Sequence, residues 1–127
     1  MKIGIDYHGV IETNSEFFRV FLDAFLTINP LSEVHIISGL PCSVLKEKMD
    51  AHNIDYTHGF SITDSLLAKG VHHQIDTKTG RPIFPDLDWN TAKARYCEEQ
   101  GIDLMIDDNE EYLKYFNTPC VLWKRIK

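Results

Sequence analysis

The sequence predicts an α/β fold in which a mainly parallel sheet is covered by helices on both faces. Short apolar runs alternate with longer segments of helical periodicity along the chain, which is the pattern of β-α-β units. Runs such as Lys2–Ile5 and Leu104–Ile106 are apolar at nearly every position, as expected for strands buried on both faces. A length of 127 residues, of which 43% are hydrophobic and 25% charged, suits one globular domain over residues 1–127.

Five runs are predicted as strands because they are short, apolar or β-branched, and bounded by polar or turn-forming residues. These are Lys2–Ile5, Val34–Ile37, a weaker Tyr56–Ile62, Leu104–Ile106 and Cys120–Trp123. Between the third and fourth runs, Gln74–Asp76 and Pro82–Phe84 flank Thr77–Arg81 and form either a hairpin or an ordered flap. Residues 63–87 are therefore the one place where the sequence offers a small lid.

The segments between these strands carry helix start and stop signals. Thr13–Glu16 has the spacing of a capping box, and the helix that follows it, Phe17–Ile28, gathers its apolar residues into one broad face. The other predicted helices run from Pro41 to about Asn53, from Thr63 through Leu67 with a stop at Gly70, from Asp88 to Gly101 and from Glu110 to Phe116.

Charge and composition narrow the classes of function. A net charge of −6 argues against an extended nucleic-acid surface, and the basic residues Lys124, Arg125 and Lys127 are interpreted as a solvated tail. The longest apolar stretch, residues 17–26, contains two charged residues, so no membrane span is predicted, and no signal peptide is visible. Three cysteines without paired spacing indicate reduced thiols and a cytoplasmic location.

Polar residues stand where three of the predicted strands end. They are Asp6 with His8, Ser38 with Gly39, and Asp107 with Asp108. Because the carboxyl ends of parallel strands share one edge, these side chains are expected to converge there. Three carboxylates repel one another, and hard oxygen ligands of this kind suit Mg²⁺. Ser38 and nearby backbone N–H groups suit a phosphate, with Lys93 adding a positive charge, although Ser38 equally suits turn chemistry.

These motifs resemble those of the haloacid dehalogenase-like (HAD) superfamily. The family pattern reads here as Asp6-Tyr7-His8-Gly9-Val10, Ser38, Lys93 and Asp107-Asp108, in the family's order and over nearly the whole chain. The resemblance implies a Rossmann-like three-layer α/β/α sandwich. With little room after the first motif for a large cap domain, the chain resembles the minimal-cap phosphatases of the family.

The resemblance also implies roles for the motif residues. Asp6 would attack phosphorus and form an aspartyl-phosphate, while Ser38, Gly39 and Lys93 would hold the transferring phosphoryl group. Mg²⁺ would be held by Asp6, by the backbone carbonyl of His8 and by the Asp107-Asp108 pair, with Asp108 as the direct ligand and Asp107 orienting water or Lys93. The function so implied is Mg²⁺-dependent hydrolysis of a small phosphorylated metabolite or a nucleotide.

His8 is the one departure from the family pattern, which has a second Asp at this position. A histidine can exchange protons near neutral pH, so His8 could protonate the leaving group and then activate water. The alternatives are a pseudo-enzyme that holds metal and a phosphorylated ligand without turnover, and an interaction domain that uses the fold alone. The sequence leaves the substrate and the oligomeric state open.

Other candidate side chains receive structural interpretations. His72-His73 resembles a metal pair, but adjacent strand residues point to opposite faces, so a surface flap is expected. His35, His52 and His58 have no ligand spacing and are expected to be structural or exposed. Trp89 is assigned to the core.

Overall fold

The computed structural model describes residues 1–124, and five of the strands in this part of the chain form one parallel sheet. The strands are β1 (Lys2–Asp6), β2 (Glu33–Ser38), β3 (His58–Ser61), β4 (Gln74–Ile75), β5 (Pro82–Ile83), β6 (Leu104–Asp107) and β7 (Cys120–Leu122). The sheet has the order β3-β2-β1-β6-β7, and β4 and β5 pair separately as an antiparallel hairpin. The predicted α/β class with a mainly parallel sheet is confirmed.

Helices cover both faces of this sheet. They are α1 (Ser15–Ile28), α2 (Cys42–His52), α3 (Ile62–Ala68), α4 (Asp86–Gln100) and α5 (Glu110–Leu113). On one face Ile36 of β2 belongs to the same buried cluster as Leu22 of α1 and Leu45 of α2. On the other face the next residue, Ile37, packs with Cys97 of α4. Successive strand residues thus serve opposite cores, which explains the continuous apolar runs in the sequence.

The strand order places a topological switch between β1 and β6. From β1 the chain proceeds outward to β2 and β3, and it then returns to β6 on the other side of β1. In open α/β sheets, ligands bind outside the carboxyl ends of the strands at such a point, because the connections there leave in opposite directions. Ile5 of β1 pairs with Ile106 of β6, so Asp6 and Asp107 follow side by side at this position.

The predicted capping box at the start of α1 is wrong. The helix begins at Ser15, and Asn14 occupies the cap position without a side-chain capping hydrogen bond. The Thr13 hydroxyl instead donates to the carbonyls of Gly9 and Val10, at 3.2 and 3.4 Å. These carbonyls belong to the tight turn formed by Tyr7–Ile11, and they accept the hydroxyl that the capping-box pattern had assigned to the start of the helix.

Other boundaries shift for local reasons. Ser61, rather than Thr63, caps α3, because its Oγ accepts a hydrogen bond from the Asp64 N–H at 3.0 Å. α4 begins at Asp86 after Pro85, two residues before the predicted start. α5 ends at Leu113, short of Phe116. No helix within residues 1–124 combines the length and the apolar character that crossing a bilayer requires.

Candidate active site

A cavity of about 580 Å³ lies at the carboxyl end of β1. It is lined by Asp6, His8, Gly9, Gly39, Trp89, Lys93, Asp108, Asn109, Glu110, Tyr112 and Lys124. Most of the site residues predicted at the strand ends are therefore brought together, although Asp6 and Asp108 are more than a hundred positions apart in the chain. The cavity joins the end of β1, the start of the segment after β2, one face of α4 and the segment after β6.

A buried lysine connects the two central strands of this site. Lys93, on α4, is 2% exposed, and its Nζ donates to Asp6 Oδ1 at 2.7 Å and to Asp107 Oδ2 at 2.9 Å. Burial by itself lowers the pKa of Lys93, but the charges of the two carboxylates outweigh it and the pKa is raised above its ordinary value. Lys93 is therefore a fixed positive charge beside Asp6.

Asp6 lies in an environment that disfavours its ionised form. Burial raises the pKa of Asp6 to about 8, and the charge of Asp107 adds to this effect, although Lys93 acts in the opposite direction. Ligand atoms of Asp6, Asp107 and Asp108 lie within 4.8 Å of one another. Lys93 supplies one positive charge against these three carboxylates, so two negative charges stay uncompensated when all three are ionised.

The donor set suits a divalent cation with a preference for oxygen. Carboxylate oxygens around uncompensated negative charge are the ligands that Mg²⁺ takes in proteins, usually together with waters. Asp107 already uses Oδ2 for Lys93 and Oδ1 for the N–H of Asn109, at 2.9 Å. Asp108 is exposed and lines the cavity, so it is the better placed of the two for a direct contact with an ion.

Gly9 allows the turn after β1 to lie close to the carboxylate of Asp108. Its φ of 76° lies in the left-handed region, where residues with a side chain are strained. A Cβ at this position would overlap Oδ2 of Asp108. Two independent constraints, backbone conformation and space, therefore require glycine here. The sequence had indicated only the first of them, the sharp turn.

His8 follows Asp6 on the same turn and lines the same cavity. Its side chain is 52% exposed, and its Nδ1 lies 3.3 Å from Oε2 of Glu12. Such a carboxylate partner fixes the orientation of an imidazole ring and selects the nitrogen that carries a proton. Glu12 was not predicted as a site residue, although its spacing of four residues from His8 was a usable signal.

Ser38 and Gly39 have different positions. The Ser38 side chain is fully buried, and its Oγ accepts a hydrogen bond from the Leu40 N–H at 3.1 Å. Within residues 1–124, the cavity wall takes Gly39 and not Ser38 from this strand end. The turn role that the sequence left open for Ser38 is thus the one present in this structure, whereas Gly39 lines the cavity as predicted.

Two wall residues have a role beyond the one expected from the sequence. Trp89, which was assigned to the core, packs against a buried cluster that includes Phe84 and Ala92, and its ring also forms part of the cavity wall. Its Nε1 donates to the Tyr112 hydroxyl at 2.8 Å. Trp89 lies four residues before Lys93 on α4, and this spacing could have indicated a shared face. Lys124, which was assigned to a solvated tail, is exposed, and it also lines the cavity, with its Nζ 3.5 Å from Oε1 of Glu110. Arg125 and Lys127 lie outside the described residues.

A second polar cluster lies at the opposite end of the sheet. His35 is fully buried, with Nε2 2.7 Å from Glu33 Oε1 and Nδ1 2.6 Å from the Tyr96 hydroxyl. The ring of His58 stacks on that of His35, with centroids 4.3 Å apart and planes at 5°. An imidazole coordinates a metal in its own plane, so two parallel stacked rings do not direct their lone pairs at one ion. The structural role expected for His35 fits these contacts.

The functional assignment of this chain depends on the geometry of the cavity and on the order of its motifs. Both derive from residues of the chain itself: the strand ends, the buried lysine and the turn at Gly9. Comparisons with protein-family models, with curated proteins and with solved structures give no match to this chain.

Proposed function

We propose that this protein is a HAD-like, Mg²⁺-dependent phosphomonoester hydrolase that works through an aspartyl-phosphate on Asp6. One observation carries the proposal: Nζ of a fully buried lysine lies 2.7 Å from Asp6 and 2.9 Å from Asp107, beside a cavity at the topological switch point. Burying an ammonium group between carboxylates costs desolvation free energy, so the arrangement is expected to serve a use other than stability. Holding a nucleophile beside a positive charge is such a use.

In the first step, an Asp6 carboxylate oxygen attacks the phosphorus of the bound phosphomonoester. A P–O bond to Asp6 forms while the P–O bond to the leaving alcohol breaks. His8 gives its proton to the departing oxygen, so the alcohol leaves neutral. Lys93 binds the phosphoryl oxygens and the Asp6 carboxylate, which stabilises the charge spread over the transition state.

In the second step, water attacks the phosphorus of the aspartyl-phosphate. His8, now deprotonated, takes a proton from this water, the P–O bond to Asp6 breaks, and inorganic phosphate forms. Glu12, 3.3 Å from Nδ1 of His8, orients the ring in both steps. Asp6 returns to its carboxylate form, so the cycle is closed.

Asp6, Asp108 and the backbone carbonyl of His8 are the groups that would hold Mg²⁺. The bound cation supplies positive charge to the phosphate oxygens and favours the ionised form of Asp6. Asp107 is left to position Lys93, since both of its oxygens accept hydrogen bonds from the protein. The assignment of Asp108 as the direct ligand agrees with its exposure.

A second candidate is a binding module that holds metal and a phosphorylated ligand without turnover. The observation that favours it is the pKa of Asp6, which burial raises to about 8, because a protonated carboxyl is not a nucleophile. The two candidates differ in one measurable respect. A hydrolase releases phosphate in proportion to bound Mg²⁺, whereas a binding module retains its ligand intact.

Phosphate release from a panel of small phosphomonoesters tests the proposal. We expect release with Mg²⁺, loss of release with EDTA, and loss of release in Asp6→Asn. Asp23→Asn, an exposed acid on α1 outside the cavity, is the matched control and should retain full activity. Absence of Asp6-dependent release at every pH from about 5 to about 9 would overturn the hydrolase and leave the binding module.

A further inference from the structure

A smaller pocket of about 210 Å³ adjoins the cavity that contains Asp6. The two share His8, Gly39 and Trp89 in their walls, so they are neighbouring parts of one concave surface. The smaller pocket adds Leu40 and Pro41 from the segment after β2, Thr63 from α3, and Arg81 and Pro82 from the β4–β5 hairpin. Nothing in the proposed mechanism uses these residues.

Trp89 forms a fixed, flat wall between the two spaces. Its ring lies against Gly39, where an added Cβ would be 2.7 Å from Cζ2 of the indole. Its Nε1 is hydrogen-bonded to Tyr112, and the ring of Phe84 lies 6.1 Å away with the two planes at 15°. A rigid indole face beside proline and leucine side chains suits a planar apolar group.

Arg81, an exposed residue, is the arginine in the wall of this pocket. The hairpin turn that carries it is closed by hydrogen bonds from the Asp76 N–H to the Arg81 carbonyl at 2.8 Å and from the Lys78 N–H to the Asp76 side chain at 3.0 Å. Within residues 1–124, no carboxylate lies within ion-pair distance of the Arg81 guanidinium. The guanidinium is therefore available for a carboxylate of a ligand.

The position of His8 indicates what the pocket binds. In the proposed reaction His8 gives a proton to the leaving oxygen, so that oxygen must lie within hydrogen-bond reach of the ring. The carbon body attached to the oxygen then continues into a space that His8 also lines. A different neighbouring pocket, near Asn14 and Lys124, does not include His8 in its wall.

We propose that this pocket binds the leaving group, an inference that rests on the proposed function. The substrate is then a phosphomonoester of a compact, planar, apolar alcohol that carries a carboxylate for Arg81. The volume of about 210 Å³ is smaller than the ~300–1,000 Å³ typical of sites for drug-sized ligands. It accommodates a single substituted ring and not a whole nucleoside. The metabolite is thus favoured over the nucleotide among the two substrate classes predicted from the sequence.

The first test compares 4-carboxyphenyl phosphate with phenyl phosphate as substrates. We expect wild-type kcat/KM to favour the carboxylated ester by about 10-fold or more, as a charge-assisted hydrogen bond provides. Arg81→Ala should abolish this preference, and Arg81→Lys should retain part of it. Lys78→Ala, on the same hairpin but outside the pocket, should behave as wild type. A preference that is absent, or that survives Arg81→Ala, would overturn the proposal.

The second test does not depend on turnover. 4-Hydroxybenzoate, the alcohol without its phosphate, should quench Trp89 fluorescence saturably in an Asp6→Asn, Trp123→Phe protein, in which Trp89 is the sole tryptophan. Adding Arg81→Ala should weaken this binding by about 10-fold or more. Binding without any turnover of the ester by wild type would contradict the hydrolase and support the pocket. Turnover without Arg81-dependent binding would contradict the pocket and support the hydrolase.

Discussion

Two polar clusters occupy opposite ends of the same parallel sheet. The carboxyl-end cluster contains Asp6, Lys93, Asp107 and Asp108, and the amino-end cluster contains Glu33, His35 and His58. Both consist of residue types that bind metals, and both include a fully buried ionisable side chain. In the amino-end cluster, both nitrogens of the buried histidine have partners within the protein. In the carboxyl-end cluster, one ammonium group pairs with Asp6 and Asp107, and the carboxylate of Asp108 lies close to both at a cavity.

The difference separates a structural polar cluster from a candidate reactive one. Residue type does not distinguish them, since histidine and glutamate are better known as metal ligands than lysine is. Uncompensated charge and access to a cavity do. The account therefore predicts that changes in the carboxyl-end cluster affect chemistry, whereas changes in the amino-end cluster affect stability alone.

The largest effect is expected for Lys93→Met. Removal of the ammonium group leaves Asp6 and Asp107 buried without a counter-charge, so the free energy of unfolding should fall by about 3 kcal/mol, and phosphate release should fall by about 10³-fold. Urea denaturation and a phosphate assay measure the two effects. Lys46→Met, which breaks the exposed pair with Asp50, is the control and should change neither appreciably. Retained phosphate release in Lys93→Met would remove the distinction between the two clusters.

Gly9→Ala separates backbone strain from the function of the cavity. Both Gly9 and Gly101 have positive φ, at 76° and 68°, so alanine at either position should cost about 1 kcal/mol of stability. A Cβ at Gly101 meets no atom within 4 Å, whereas one at Gly9 overlaps Asp108. Activity and Mg²⁺ affinity should therefore fall by about 10-fold or more in Gly9→Ala only. Equal losses of activity in the two variants would contradict the proposed role of Asp108.

Histidine substitutions compare the two ends directly. His8→Ala should lower phosphate release by about 10²-fold at nearly unchanged thermal stability, because a general acid and base is lost from an exposed position. His58→Ala removes the ring stacked on His35 and should leave phosphate release unchanged. A release rate in His8→Ala equal to that of wild type would show that His8 transfers no proton.

The pH dependence of stability should have opposite sign at the two ends. Burial raises the pKa of Asp6 from 3.8 to about 8, so the folded, metal-free protein keeps a proton that the unfolded chain loses, and stability falls as pH rises across this range. Burial lowers the pKa of His35 from 6.5, so the unfolded chain gains a proton that the folded state does not, and stability falls as pH drops below 6.5.

Urea denaturation in EDTA across this pH range measures both contributions. Asp6→Asn should remove the loss of stability toward alkaline pH, and His35→Gln should reduce the loss toward acid. Added Mg²⁺ should flatten the Asp6 contribution and leave the His35 contribution unchanged. A pH profile that Asp6→Asn does not alter would contradict the assigned environment of Asp6.

The sequence predicted most of the carboxyl-end cluster, because the end of an apolar strand fixes where the next residue lies. Asp6 and Asp107 follow two strands that pair in register, whereas Lys93 was predicted from its place in the first turns of its helix and from the family resemblance. Ser38 was not separable from a turn residue, since the N–H of Leu40 competes for its hydroxyl. The predicted broad apolar face of α1 is only partly buried, and Phe17 remains 52% exposed.

The features that the sequence did not reveal depend on contacts between residues far apart in the chain. Lys124 lines the cavity because it follows β7, which lies next to β6 in the sheet. This position depends on the order of the strands, which a local sequence pattern does not contain. Trp89 packs against the core as its apolar character indicated, but its contact with Gly39 joins α4 to the end of β2, and no local pattern contains that contact. The cluster of Glu33, His35 and His58 arises from pairing between β2 and β3, so spacing along the chain did not reveal it.

The central claim is that Asp6 accepts the phosphoryl group, and acid quenching during turnover tests it most directly. Wild-type protein that is turning over a phosphomonoester in the presence of Mg²⁺ is quenched with acid. It should then carry an acid-stable phosphoryl adduct, which peptide mapping by mass spectrometry should assign to Asp6. Asp6→Asn should yield neither the adduct nor free phosphate, and Asp23→Asn should yield both. Phosphate release at the wild-type rate by Asp6→Asn, without an adduct in either protein, would contradict the account.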